Sequence, residues 1–112
     1  MATGAQLTVT DLRRATRHPT DHKVIGEHRR LGDVHIHITN ISAHGFMADG
    51  PLELGRGERV VIRLPVVGRI EAHIIWLAED RAGFQFERII RLEDFMGLID
   101  ALQPNPRLRK SR

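Results

Sequence analysis

The strongest constraint on the fold is an alternation of apolar and polar side chains with a period of two residues. It appears in residues 33–39 and again in residues 70–76, and this period is that of a β-strand with one face in a core. The apolar faces comprise Val34, Ile36 and Ile38 in the first segment, and Ile70, Ala72, Ile74 and Trp76 in the second. The pattern predicts two half-buried strands, with Trp76 turned inward.

Further segments carry strand-forming composition between short turns. β-Branched and aromatic residues favour a pleated, half-buried surface, and clusters of Gly, Pro and Asp separate such segments. The additional predicted strands cover residues 23–28, 46–54, 58–64 and 82–86, and the turns cover 55–57, 65–68 and 78–83.

The last ordered segment changes to a helical period. Its apolar residues recur at spacings of three and four, and Pro104 follows them. They are Leu92, Phe95, Met96, Ile99 and Leu102. We therefore predict a C-terminal α-helix over residues 92–102, with an apolar face that packs on the core or binds a partner. Short strands followed by one helix indicate an all-β fold, a small antiparallel barrel or sandwich whose opening or edge the helix covers.

Size and composition narrow the class of protein. A chain of 112 residues is one domain with a real core, and the absence of cysteine excludes disulfides and thiolate metal sites. The N-terminus resembles no secretory signal, and no apolar run is long enough to cross a bilayer. We expect a cytoplasmic protein without membrane insertion.

The basic charge is concentrated at the two ends of the chain. Residues 1–30 carry six Lys or Arg against three acids, residues 31–103 carry seven against eleven, and residues 104–112 carry four against none. We predict a disordered N-terminus over 1–10, one domain over 11–103 and a disordered basic tail over 104–112. The acidic balance of the domain argues against DNA or RNA as its partner.

Two short motifs remain after this assignment. The segment 11–19, an arginine-rich leader before the first strand, contains Arg13 and Arg17 four residues apart. The turn between two predicted strands reads Asn-Ile-Ser-Ala-His-Gly, with Asn40, Ser42 and Gly45 at its key positions. Turns favour Asn, Ser and Gly for backbone reasons, so the composition of the loop alone does not establish a ligand site.

The order of these motifs resembles that of PilZ domains, the bacterial receptor modules for cyclic di-GMP. The resemblance rests on the R-x-x-x-R of Arg13–Arg17, the N-x-S-x-x-G of Asn40–Gly45, the strand that carries Trp76 and the glycine–aromatic segment 82–86. It covers residues 11–100, and it implies a six-stranded antiparallel β-barrel of the PilZ type, a C-terminal helix, no catalysis and no cofactor.

The resemblance also implies roles for individual residues. Arg13 and Arg17 would clamp the guanine bases and phosphodiesters, and Asn40, Ser42 and Gly45 would form the loop side of the site. Guanidinium forks match the O6 and N7 acceptors of guanine and stack on purines, which makes this chemistry reasonable. Two flanking residues, Arg14 and His44, are additional candidates. Ligand binding would order the leader and present a changed surface to a downstream protein partner.

Three alternatives stay open. A metal site would need His35 and His37 on one strand face and His73 from another strand. An OB-like barrel that binds single-stranded nucleic acid would need exposed aromatic platforms, whereas most of the aromatic residues here occupy core-like positions. A PilZ-like module that binds a protein and no nucleotide would leave the arginines and the turn without a ligand.

An enzyme is disfavoured because the chain has two serines, no cysteine and no nucleophile elbow or phosphate-binding glycine loop.

Overall fold

Six antiparallel strands close into a barrel, and one helix follows them, in the computed structural model, which describes residues 16–102. The elements are β1 (His18–His28), β2 (Gly32–Ile41), β3 (Gly45–Asp49), β4 (Arg59–Leu64), β5 (Gly68–Leu77), β6 (Arg81–Phe86) and α1 (Leu92–Leu102). The order around the barrel is β1-β2-β3-β6-β5-β4, and the pairing of Glu27 with Val61 joins β1 to β4. The predicted all-β fold, with six strands and a C-terminal helix, is confirmed.

The core consists of the inward side chains of the strands, which alternate with outward ones as the sequence pattern predicts. In β2, Ile36 and Ile38 are buried. At the centre, the rings of Phe46 and Phe84 stack with centroids 4.6 Å apart and an interplanar angle of 11°. Burial of such aliphatic and aromatic side chains contributes roughly 1.5–3 kcal/mol each, which makes this cluster the main stabilising element.

The helix α1 covers the barrel beside the beginning of β1. Its side chain Phe95 is fully buried, and the ring of Phe95 meets the imidazole of His18 edge-on at 5.5 Å. Two acidic residues in the first turn, Glu93 and Asp94, complement the positive end of the helix dipole. Met96, which was predicted on the packed face, is instead 45% exposed, and Leu98 is buried. No helix within residues 16–102 is long and apolar enough to cross a membrane.

The bounds of β1 and β3 differ most from their prediction, by five residues at one end, whereas the ends of the other strands differ by at most two. β1 begins at His18, five residues before the predicted start, so the last two residues of the predicted leader lie in a strand. Its pairing with β2 is irregular between Pro19 and His22, and such an irregularity accommodates a proline, which lacks a backbone donor. β3 ends at Asp49 rather than at residue 54, because Gly50 adopts a φ of 97° and Pro51 follows.

The orientation of Trp76 was predicted wrongly. The ladder between β5 and β6 pairs Ile74 with Phe84 but Trp76 with Gly83, so the register shifts at Ile75. Such a bulge inserts one extra residue and turns the following side chain to the other face. Trp76 therefore lies on the outside of the barrel.

Candidate functional site

The turn between β2 and β3 is held by its own hydrogen bonds. The backbone N–H of Ser42 donates to the carbonyl of Gly45 at 2.8 Å, and the hydroxyl oxygen of Ser42 accepts from the N–H of His44 at 3.1 Å. Ser42 is only 4% exposed. The serine hydroxyl thus stabilises the turn, in the way that Ser side chains commonly do in tight turns.

The segment after β6 also anchors this turn. The carbonyl of His44 accepts a hydrogen bond from the N–H of Phe86 at 2.8 Å, and the carbonyl of Ala43 accepts one from Ile90 at 3.0 Å. The His44 residue is exposed. The loop therefore has a fixed backbone, and the predicted candidate His44 stands at its surface.

A close backbone contact explains the glycine at position 45. A β-carbon there would lie 1.9 Å from the carbonyl oxygen of Phe84 on the neighbouring strand β6. This separation is far below van der Waals contact, so only glycine allows β3 and β6 to approach so closely. Gly45 therefore has a structural role in the barrel.

The predicted leader and loop meet through one arginine. Nη1 of Arg17, immediately before β1, donates to Oδ1 of Asn40 at 2.9 Å across 23 residues of sequence. Asn40 lies near the end of β2, opposite Pro19 of β1 and Met47 of β3. The structure thus brings together Arg17 and Asn40, whereas the other two predicted leader arginines, Arg13 and Arg14, lie outside the described residues.

Asn40 begins a row of outward positions that crosses four strands. The ladders pair Asn40 with Met47, Met47 with Gly83, and Gly83 with Trp76. Nδ2 of Asn40 lies 3.8 Å from the sulfur of Met47, and the indole of Trp76 covers Gly83. We call Asn40, Met47, Gly83 and Trp76 the outer row. Three interstrand spacings give it a length of about 14 Å.

Sequence reasoning assigned Trp76 and Gly83 to the fold and did not place them in the site. Trp76 is 37% exposed, so one face of an aromatic ring is accessible on the same surface as Asn40. No signal in the sequence reveals the bulge at Ile75 that turns this ring outward. That Trp76 lies opposite Gly83 is evident only from the strand pairing in the structure.

A second row of outward residues runs beside the outer row and is charged. The ladders pair Lys23 with His37, His37 with Asp49, and Asp49 with Arg81. Nε2 of His37 lies 2.6 Å from a carboxylate oxygen of Asp21. We call Lys23, His37, Asp49 and Arg81 the charged row. Lys23, His37 and Asp49 also line a groove of about 370 Å³.

The three histidines of the metal alternative are not brought together. His35 and His37 lie on β2, whereas His73 lies on β5, and β3 and β6 separate these two strands around the barrel. Over residues 16–102 no three His, Asp or Glu side chains are grouped closely enough to hold a metal ion.

A scan against protein-family models and a search of curated protein sequences both find no match. Functional inference therefore rests on the geometry of the barrel surface and on the motifs.

Proposed function

We propose that the protein is a receptor for cyclic di-GMP of the PilZ type, which binds the nucleotide on the outer row and signals to a protein partner. The single observation that carries this proposal is the hydrogen bond between Arg17 and Asn40. It joins the arginine leader to the N-x-S-x-x-G loop, two motifs that are distant in sequence and would have to share one ligand. A solvated arginine and an isolated turn would have no need of this contact.

The chemistry of the contact suits guanine. A guanidinium fork pairs with the O6 and N7 acceptors of guanine, and an amide supplies both a donor and an acceptor beside it. The side chains of Arg17 and Asn40 satisfy one another in the free protein. A nucleotide would replace or share that hydrogen bond, and the charge of Arg17 would oppose a phosphodiester.

The outer row also offers an aromatic surface, at the opposite end from Arg17 and Asn40. Trp76 exposes part of its indole, and Gly83 beneath it provides space for the ring to lie flat on the strand. Bases stack on such rings with a gain of roughly 1–3 kcal/mol per base. We infer that one base of the dinucleotide lies near Arg17 and Asn40 and that the other stacks on Trp76.

The loop residues have a supporting role in this proposal. Ser42 is buried and Gly45 lies against β6, so both hold the loop in shape rather than provide most of the binding surface. Arg13 and Arg14 would supply further cationic contacts from the leader. Ordering of the leader on the barrel would then present a changed surface to a partner protein, and no catalytic step or cofactor is involved.

Titration of the intrinsic fluorescence tests this proposal, since Trp76 is the only tryptophan of the chain. Cyclic di-GMP should quench or shift the emission in a saturable way, and Arg17→Ala should remove the response. Arg63→Ala is a matched control, because Arg63 is an exposed strand arginine on β4. Equal responses of the two variants would argue against a site at Arg17.

Deletion of the tail separates a receptor from a general polyanion binder. Residues 104–112 carry four basic residues and no acid. Removal of this segment should leave the affinity for cyclic di-GMP nearly unchanged, whereas Arg13→Ala or Arg17→Ala should nearly abolish binding. A larger loss from the tail deletion would indicate binding driven by counterion release.

Single-stranded nucleic acid is the second candidate, and the exposure of Trp76 is the observation that favours it. Stacking platforms beside arginine are typical of such binding. A short oligothymidylate would then quench Trp76 more effectively than cyclic di-GMP does, and its binding would weaken steeply with salt. A module that binds only a protein would respond to neither probe.

A further inference from the structure

Arg81 lies beside the aromatic end of the outer row. It precedes Gly83 by two residues in β6, so both point to the same outer face of the barrel, about 7 Å apart along the strand. Gly83 carries the indole of Trp76, and the N–H of Ala78, two residues after Trp76, donates to the carbonyl of Arg81 at 2.8 Å. The backbone of Arg81 therefore lies beside the part of β5 that carries the exposed tryptophan.

The side chain of Arg81 has weak partners among residues 16–102. Its Nε lies 3.7 Å from a carboxylate oxygen of Asp80, which is beyond hydrogen-bond distance, and the Arg81 side chain is 54% exposed. Asp49 stands opposite Arg81 in the ladder, but a carboxylate oxygen of Asp49 accepts a hydrogen bond from Thr39 at 3.3 Å. Exposed pairs of this kind contribute little, so the guanidinium is available to a ligand at small cost.

Because the outer row is long, a dinucleotide that lies along it would need a cationic contact at the Trp76 end as well as at the Arg17 end. Asn40 and Trp76 are separated by three interstrand spacings, about 14 Å, which exceeds the reach of the Arg17 side chain from its own position. A cyclic dinucleotide carries two phosphodiesters, which join its two sugars into one ring and lie on opposite sides of that ring. Over the row, one phosphodiester would face the Arg17 end and the other the Trp76 end, and long cationic side chains would approach them from the two ends.

We propose that Arg81 binds the phosphodiester of the dinucleotide at the Trp76 end of the outer row, as a cationic contact additional to the arginines of the leader. The inference rests on the proposed function and adds to it a residue that belongs to neither sequence motif. An arginine fork is well suited to a phosphodiester because it donates two parallel charge-assisted hydrogen bonds. The neighbouring indole would hold the adjacent base by stacking.

Single variants test this assignment by calorimetric titration of cyclic di-GMP. Loss of a charge-assisted hydrogen bond should weaken the affinity of Arg81→Ala by about 10-fold or more. Arg63→Ala removes the same charge from an exposed strand position on β4 and should stay within about 2-fold of the wild type. Arg81→Gln keeps the length of the chain without its charge and should behave like the alanine variant.

The result that overturns the inference is an Arg81→Ala affinity equal to that of Arg63→Ala while the wild type binds. That outcome leaves the proposed receptor function intact, since Arg17 and Asn40 do not depend on Arg81. A wild type that binds no cyclic di-GMP overturns both the function and the inference. Thermal unfolding of each variant verifies that it is folded, because Arg81 is exposed and its removal should not affect the core.

A double-mutant cycle tests the position of the contact as well as its strength. Arg81 and Trp76 would act on one end of the ligand, so the losses in Arg81→Ala and Trp76→Ala should be strongly non-additive. Arg81 and Asn40 lie at opposite ends of the outer row, so the losses in Arg81→Ala and Asn40→Ala should be nearly additive. The opposite pattern, with coupling to Asn40 and none to Trp76, would contradict the placement of Arg81 at the aromatic end.

Discussion

The indole of Trp76 rests directly on Gly83. A β-carbon at residue 83 would lie 2.0 Å from Nε1 and 2.4 Å from Cε2 of the ring. Gly83 is buried although it points outward, because the tryptophan covers it. The bulge at Ile75 and the glycine at 83 together fix the ring on the surface of the barrel, on the row that begins at Asn40.

Gly83→Ala should displace this ring without unfolding the barrel, because the indole lies outside the core. We expect a changed fluorescence emission and near-ultraviolet dichroism of Trp76, together with a several-fold loss of affinity for cyclic di-GMP. Gly97→Ala is the control, since a β-carbon there would lie 3.4 Å from Val66, at the edge of ordinary contact. An unchanged Trp76 spectrum in Gly83→Ala would show that the ring does not depend on the glycine.

The strands could be predicted because the strand signal is local, whereas the choice of a six-stranded barrel over a sandwich came from the resemblance. Alternation in residues 33–39 and 70–74 reports a half-buried strand directly, and the burial of Ile36, Ile38 and Ile74 confirms it. The helix was predicted with its observed bounds because its period and the following proline are also local signals. Met96 shows the limit of such patterns. A helical period identifies the apolar face of a helix, but it does not say which residues at the edge of that face are buried.

The remaining features depend on the pairing register between strands, which no local pattern in the sequence indicates. The outward turn of Trp76 results from one unpaired residue in the β5–β6 ladder, and no single-residue preference indicates where a ladder shifts. The early start of β1 is another case, since Pro19 and the polar residues around it resemble a leader more than a strand. Within the candidate site, the motifs pointed to Arg17 and Asn40, whereas the place of Met47, Gly83 and Trp76 beside Asn40 is evident only from the strand pairing.

Arg17→Ala and Asn40→Ala should each change the stability of the free protein by less than about 1 kcal/mol. The hydrogen bond between them is exposed, and such contacts contribute little on balance. Urea unfolding with and without the substitutions measures this. A loss of several kcal/mol would indicate that the pair braces the fold, and a binding defect would then have a structural cause.

Gly45→Ala should destabilise the protein more than Ser42→Ala does. The new methyl group would overlap the carbonyl of Phe84, so β3 and β6 would have to separate, at a cost of roughly 1–3 kcal/mol or more. Ser42→Ala removes the hydrogen bond from the N–H of His44, a loss of about 1 kcal/mol. Denaturant midpoints compare the two, and equal stabilities would refute the structural role of Gly45.

Glu58 joins the loop before β4 to the end of β1 and the turn that follows it. The N–H of Gly55 donates to one carboxylate oxygen at 2.9 Å, and His28 and Arg30 contact the other oxygen at 2.7 and 3.1 Å. The hydrogen bond from Gly55 is the main reason that the pKa of Glu58 is lowered. Burial opposes this shift, and the contacts with His28 and Arg30 add to it.

The lowered pKa of Glu58 gives its contacts a defined pH dependence. A carboxylate whose folded-state pKa is depressed adds stability above the ordinary glutamate pKa of about 4.3. This stability is lost as the pH falls through the folded-state pKa. The difference in stability between the wild type and Glu58→Gln should therefore shrink as the pH falls through the ordinary glutamate pKa of about 4.3 and below it. A difference that stays constant as the pH falls, measured by urea unfolding, would contradict the assignment.

Calorimetric titration of cyclic di-GMP into the folded full-length chain and its Arg17→Ala variant tests the central claim most directly. The account predicts saturable heat with the wild type, and a near-complete loss of that heat in Arg17→Ala with an unchanged melting temperature. Absence of heat with the folded wild type, or undiminished affinity in Arg17→Ala, would contradict it.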